Sequence, residues 1–179
     1  MTKPRLFFAS DFVILDTETT GLDAGAEIVE LSISDKHGNT LFDSLIKPKK
    51  KIPVDAESIH GISNADVVNA PTWKDVYGQV ADILRVKDRT VAIYNADYDV
   101  RMIRQTSGLY GLNMVNFSSV CVMLQYAKFW GVWDDYRGNY KWQKLTNAAK
   151  QQNIEIKNAH RALGDCLMTL EVLNKMYKD

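Results

Sequence analysis

Asp16 and Glu18 stand two residues apart at the end of the apolar run Phe12-Val13-Ile14-Leu15. On a strand, residues at i and i+2 line the same face, so the two carboxylates converge. Removing one ionised carboxylate from water is costly, and removing two together is more so unless a divalent cation holds them charged. Metal binding is the economical reading; polar residues capping a strand end are the plain alternative. Asp165 sits beside Leu163, Cys166 and Leu167, in an apolar stripe that continues through Leu170, Leu173 and Tyr177 of a C-terminal helix. A carboxylate buried there wants a partner. Asp97 and Asp99 open another helix, where side chains two apart point about 200° from each other, so only one can face a site, and Asp97 is read as the helix cap. His160 precedes Asp165 by five residues, about 140° away on a regular helix, which places it at the helix entrance. There it is either a surface residue or, through its imidazole, a proton acceptor.

The elements that must position these groups follow from periodicity. Phe12–Leu15 reads as a central strand buried on both faces. Glu27–Ser34 alternates apolar and polar residues, and Lys36-His37-Gly38-Asn39 turns the chain into Leu41–Ile46, completing a three-stranded meander. A lysine-rich loop with Lys47, Lys49, Lys50 and Lys51 reads as a solvated turn. Trp73, Val76, Tyr77, Val80, Ile83 and Leu84 recur at helical spacing behind the cap Thr72. A strand at Thr90–Tyr94 then leads through Asn95-Ala96-Asp97 into a helix to about Thr106. Ser119–Met123 reads as a strand running into a helix near Trp130, and Gln143–Gln152 as a helix. The order β-β-β-α-β-α-β-α-α predicts a mixed sheet with helices on its faces. Trp130–Trp142, with three Trp, Tyr136, Tyr140 and two Gly and no clean period, is the stretch expected to be a functional loop. Its aromatics, interleaved with Lys128, Arg137, Lys141 and Lys144, either stack bases and meet phosphates or anchor a long loop. Anchoring is favoured for Trp130 and Trp142, and exposed contact for Trp133 and Tyr136.

The chain has 179 residues, 46% apolar and 25% charged, with 10 Gly and 4 Pro, which fits one globular domain over 1–179 and excludes collagen-like and low-complexity classes. Twenty-two basic and twenty-two acidic residues give zero net charge, so no cationic surface advertises a polyanion, although bound metal ions supply positive charge locally. No apolar run approaches the roughly 20 residues of a membrane helix, and residues 1–10 lack a signal-type apolar region. Cys121 and Cys166 have no metal-ligand or CxxC spacing and are expected as buried free thiols in a reducing compartment, hence a cytoplasmic protein.

The string Asp16-Thr17-Glu18-Thr19-Thr20-Gly21-Leu22, followed by Tyr94-Asn95-Ala96-Asp97-Tyr98-Asp99 and His160-Arg161-Ala162-Leu163-Gly164-Asp165, resembles the three motifs of the DEDD superfamily of 3′-to-5′ exonucleases, the group that includes polymerase proofreading subunits. Ile59-His60-Gly61-Ile62-Ser63 is similar to the family's His-Gly-Ile element, so the resemblance spans about Phe12 to Leu173. It implies an RNase H-like α/β fold with a mixed five-stranded sheet and helices on both faces. It also implies a site with two Mg²⁺ or Mn²⁺ ions held by Asp16, Glu18, Asp99 and Asp165, and His160 as general base. That is the DEDDh type, because the tyrosine-dependent branch carries its Tyr where this chain has Arg161. The resemblance further implies substrate contacts from Thr19, Gly21, Leu22, His60, Tyr94 and Asn95, with Leu22 as an apolar wedge. Tyr94 departs from the pattern, standing where many relatives have His.

The expected function is therefore removal of 5′-mononucleotides from 3′ ends, with single-stranded DNA as the expected partner. Trimming of RNA by the same site and a non-catalytic module for nucleic-acid ends or a protein are the alternatives. Only Lys178 and Asp179 follow the last helix, so no polymerase-binding tail is expected, and a free-standing DNA repair or degradation enzyme fits the sequence.

Overall fold

The computed structural model describes residues 11–177. The N-terminal stretch expected to lack a signal region, and the terminal pair Lys178 and Asp179, lie outside the described residues. Strands β1 (Phe12–Thr19), β2 (Ile28–Asp35), β3 (Thr40–Leu45), β4 (Thr90–Ile93) and β5 (Ser118–Cys121) form one sheet in the order β3-β2-β1-β4-β5. The first three strands pair antiparallel, while β4 and β5 continue the sheet parallel to β1. The most apolar strand is thus the central one. Asp35 closes the β2–β3 hairpin: its carboxylate accepts the His37 and Asn39 amides, and Gly38 takes φ 86°, a left-handed conformation open to glycine at no steric cost.

Side-chain alternation along β1 sorts two cores. Val13 and Leu15 pack under α2 (Trp73–Leu84) and α3 (Ala96–Leu109), around the fully buried Trp73, whose indole donates to Ser107 Oγ at 3.1 Å. Phe12 and Ile14 face α4 (Val122–Trp130), α5 (Leu145–Gln151) and α6 (Ala162–Tyr177) on the other side. Helix α2 begins behind Thr72, the cap that the sequence implies, whose amide and hydroxyl donate to the Asp75 carboxylate at 2.8 and 2.6 Å.

The structure adds and corrects several elements. A short helix α1 (Val54–His60) occupies what reads as loop; the heptapeptide is too brief to show a helical period, and it ends at Gly61 with φ 72°. The aromatic stretch folds into a hairpin of two-residue strands, β6 (Trp133–Asp134) and β7 (Asn139–Tyr140). Helix α3 extends to Leu109, three residues beyond its expected end, and Asn95 rather than Asp97 is its N-cap residue, with no side-chain capping bond. Cys166 is buried, but Cys121 is only half-buried; both are free thiols. The lysine loop is less free than a solvated turn, since the buried Glu27 carboxylate accepts the Lys49 and Lys50 amides. No helix among the described residues is long and apolar enough to cross a membrane.

Candidate active site

Asp16 and Glu18 share the face of β1 that carries Phe12 and Ile14, and α6 packs across that face. Asp165 lies on the first turn of α6. One carboxylate oxygen from each of Asp16, Glu18 and Asp165 lies within 4.8 Å of the other two. Asp99 stands outside this triad. Buried on the first turn of α3, it accepts the Thr17 hydroxyl at 2.7 Å, and it is close enough to repel Asp16. The carboxylates of the three sequence motifs therefore converge on one end of the sheet, the end reached by the C-termini of the parallel strands.

The electrostatics record that crowding. Burial, reinforced by repulsion from Asp99, Asp165, Glu18 and Glu30, holds the Asp16 carboxyl well above the usual carboxylate range. Burial and then Asp165, Glu30 and Asp99 push Glu18 up to about 8. Asp99 is pushed up to about 7 by burial, against the hydrogen bonds from Thr17. Asp165 is pushed up to about 6 by burial, opposed by the His160 backbone. Desolvated carboxylates that destabilise one another's charged forms fit a multivalent cation, and an all-oxygen donor set suits a hard one.

His160 lies two residues before the first residue of α6, is exposed, and holds φ 63°, which is uncommon for a residue with a Cβ. Its amide donates to Asp165 Oδ1 at 3.3 Å. The conformation turns the chain sharply into the helix, so the 140° offset of a regular helix does not apply. Gly164 is required by the same turn: a Cβ there would lie 2.3 Å from the Asn158 carbonyl oxygen.

The loop after β1 is pinned by bonds between Thr19, Tyr98 and Gly21 that the sequence does not reveal. Thr19 Oγ1 and Tyr98 Oη lie 2.5 Å apart, and both bond the Gly21 carbonyl, at 3.0 Å each. Gly21 itself takes φ 152°. Leu22, held beyond this latch, is 79% exposed. Arg101 stacks over Tyr98 and donates to the Leu22 carbonyl. Asn95 is exposed at the start of α3. His60 is buried; the Ile62 amide donates to its Nδ1 at 3.0 Å, which assigns the ring proton to Nε2. That Nε2 has no well-formed hydrogen bond, and burial lowers the ring's pKa against the opposing effects of the Thr19 backbone and Glu30.

Tyr94 is placed differently from the substrate contact expected of it. The ring is 6% exposed within the α4–α6 core, and its hydroxyl donates to the Gln143 carbonyl at 2.9 Å. A phenol is longer than an imidazole and reaches past the site to the neighbouring backbone. Arg161 and Glu30 form the group that sequence reasoning misses. Glu30, 3% exposed, stands opposite Glu18 in the β1–β2 register. It accepts Arg161 Nη2 at 2.6 Å and the Ala162 amide at 2.8 Å, fastening the start of α6 to the sheet. The available signal is one charged residue inside the apolar run Ile28-Val29-Glu30-Leu31.

Residues 13–173 match the exonuclease family model of the RNase T type. An uncharacterised exonuclease, CP81, of Escherichia phage 186 is 42% identical over 183 aligned residues, covering 98% of this chain and 93% of that protein. The DNA polymerase III epsilon subunit of Buchnera aphidicola subsp. Schizaphis graminum is 27% identical, over 92% of this chain and 72% of the subunit. Among solved structures, exonuclease X in complex with 5′ overhanging duplex DNA superposes with TM-score 0.70 at 24% identity, covering 93% of this chain and 91% of that one. E. coli exonuclease I in complex with a dT13 oligonucleotide gives 0.76 at 17% identity, and this chain spans 42% of its length. The two solved structures share the fold of this chain, and the family match over nearly the whole chain, with a relative 42% identical along almost its full length, shows that this protein belongs to the exonuclease family.

Proposed function

We propose that the chain is a metal-dependent 3′-to-5′ exonuclease that releases 5′-mononucleotides, with single-stranded DNA as preferred substrate. The observation that carries this reading is the convergence of Asp16, Glu18 and Asp165, with donor oxygens within 4.8 Å, beside the buried Asp99. These four carboxylates would hold two Mg²⁺ or Mn²⁺ ions. Such ions, when bound, orient the scissile phosphate and stabilise charge on its oxygens.

The chain's own residues do the rest. His160, at the helix entrance, accepts a proton from the attacking water through its imidazole. The water oxygen bonds to phosphorus as the bond to the upstream O3′ breaks; that oxygen takes a proton from solvent, leaving a 3′-hydroxyl on the shortened strand and a 5′-phosphate on the released nucleotide. Leu22 meets the terminal base; the buried Nε2–H of His60 and the exposed Asn95 serve as polar contacts to sugar and phosphate. The Thr19–Tyr98–Gly21 latch fixes the Leu22 loop, and Tyr94 supports the pocket from behind. The reading extends to a free-standing DNA repair or degradation enzyme of a reducing, cytoplasmic compartment, which two cysteines without metal-ligand or CxxC spacing support.

The test is incubation of the purified chain with matched 5′-labelled and 3′-labelled DNA and RNA strands, in Mg²⁺, Mn²⁺ or chelator. Release of labelled mononucleotide at once from 3′-labelled DNA, with a descending ladder from the 5′ label, is the expected outcome. Faster loss of RNA would reverse the sugar assignment, and release beginning at the 5′ label would reverse the polarity.

A further inference from the structure

The face of the sheet that bears Asp16 and Glu18 also carries a surface the proposed reaction does not use. Helix α4 starts beside the site, where the Met123 amide donates to the Tyr94 carbonyl at 2.8 Å. It ends at Gly131, whose φ of 78° reverses the chain, and β7 packs back against α4. The segment then returns to the site at Gln143, gripped by the Tyr94 hydroxyl. Both ends of the excursion are thus fastened to the residue five positions before Asp99.

The excursion is faced with rings that the fold leaves in solvent. Tyr136 at its tip is 97% exposed, and Trp133 and Trp142 are about half exposed. Trp142, which the sequence reads as an anchor, is as open as Trp133. Trp133 is held edge-on by Tyr140, with centroids 5.1 Å apart, and Trp130 stacks on the buried Tyr126, so the platform has a rigid base. Residues 128–144 hold Lys128, Arg137, Lys141 and Lys144 against two acidic residues, in a chain whose net charge is zero. Of the acidic pair, Asp134 turns its carboxylate inward to the Tyr136 and Arg137 amides.

Exposed rings among cations, rooted at the carboxylate end of the sheet, fit a ligand that is aromatic and anionic at each repeat. We propose that the β6–β7 hairpin and its flanks bind the single-stranded nucleic acid upstream of the 3′ end, stacking its bases on Tyr136, Trp133 and Trp142 and meeting its phosphates with Arg137 and Lys141. The proposal rests on the exonuclease reading for the direction in which the strand lies, and on the surface itself for its affinity.

The experiment uses the full chain, its Tyr136→Ala and Trp142→Ala variants singly and combined, Tyr136→Phe, and Lys141→Ala. Fluorescence anisotropy with 5′-fluorescein oligothymidylates of increasing length, in chelator, reads affinity without turnover. Hydrolysis of thymidine 5′-p-nitrophenyl phosphate in Mn²⁺ reads the central site alone. Affinity should rise with oligomer length in the parent chain; the combined variant should lose about tenfold or more on long oligomers and flatten that dependence. Tyr136→Phe should keep the affinity, and Lys141→Ala should lower the salt slope by about one. Ester hydrolysis should be unchanged in all variants. Wild-type affinity of the combined variant for every length would overturn the proposal and leave the patch to a protein partner. Absence of ester hydrolysis in the parent chain would count against the exonuclease reading alone, because anisotropy decides the hairpin separately. Tyr136→Ala alone removes a ring that is 97% exposed, so a loss of affinity in that single variant reads the surface without disturbing packing.

Discussion

At the scale of single residues, the site is a set of acids held where their charged forms are disfavoured. Asp16, Glu18, Asp99 and Asp165 all bind their protons more tightly in the folded chain than in the unfolded one. Between their ordinary values near 4 and about 8, the unfolded chain therefore carries fewer protons, and stability falls as pH rises. His60, with its pKa lowered by burial, acts in the opposite sense as pH rises through its own range. The quantity to read is accordingly the difference between cation-loaded and chelated protein. The rise in Tm on adding Mg²⁺ or Mn²⁺ should be larger at about pH 8 than at about pH 5, where most of the cluster can hold protons instead. Equal increments at both would remove the cluster as the cation's site. Asp16→Asn should raise the Tm of the chelated chain while abolishing hydrolysis, since it relieves repulsion without opening a cavity. His160→Gln should lower kcat by about 10² to 10⁴ with little change in KM. Near-parental turnover would assign proton removal elsewhere.

At the scale of elements, the chemistry depends on how α6 enters the sheet. Two devices fix that entry: Glu30 clamps Arg161 and the Ala162 amide, and Gly164 lets the Asn158 carbonyl approach the helix. Gly164→Ala places a Cβ 2.3 Å from that backbone oxygen, so the loop bearing His160 must move. A tenfold or greater loss of kcat, with an intact far-ultraviolet spectrum and a Tm lowered by a few degrees, is expected. Parental kcat would show that His160 tolerates the shift. The central strand, the meander and the long helices were legible because their apolar periods are long, and the carboxylates because they sit at strand and helix ends within spaced motifs. The hairpin around Tyr136 was not, because strands of two residues carry no period. Nor was the Glu30 clamp, whose partners lie 131 residues apart and meet only because α6 packs on β2. The place of the Tyr94 ring in the core was not legible either, because residue type alone does not tell where a longer ring will reach.

At the scale of the whole molecule, the proposed polarity requires a strand end. Leu22, 79% exposed, stands on the loop beyond β1, while the carboxylates lie behind it on β1 and α6. A terminal nucleotide held against Leu22 brings its own phosphate to the cluster, whereas an internal nucleotide would have to carry a second strand segment through the same space. Covalently closed single-stranded circles should therefore survive under conditions that degrade the matching linear strand to mononucleotides. A 3′-phosphate should slow the reaction by adding charge where a sugar hydroxyl belongs, beside the acidic cluster. Leu22→Ala should lessen any advantage of frayed over paired ends, since the side chain that would part the last pair is gone, and should leave hydrolysis of single strands within a few-fold. The check is a gel assay of circle, linear strand, 3′-phosphorylated strand and blunt duplex at equal nucleotide concentration. Cutting of the circle as fast as the linear strand would convert the assignment to an endonuclease, because the shared sheet and carboxylates are compatible with either product and only the proposed capture of a strand end at Leu22 distinguishes them.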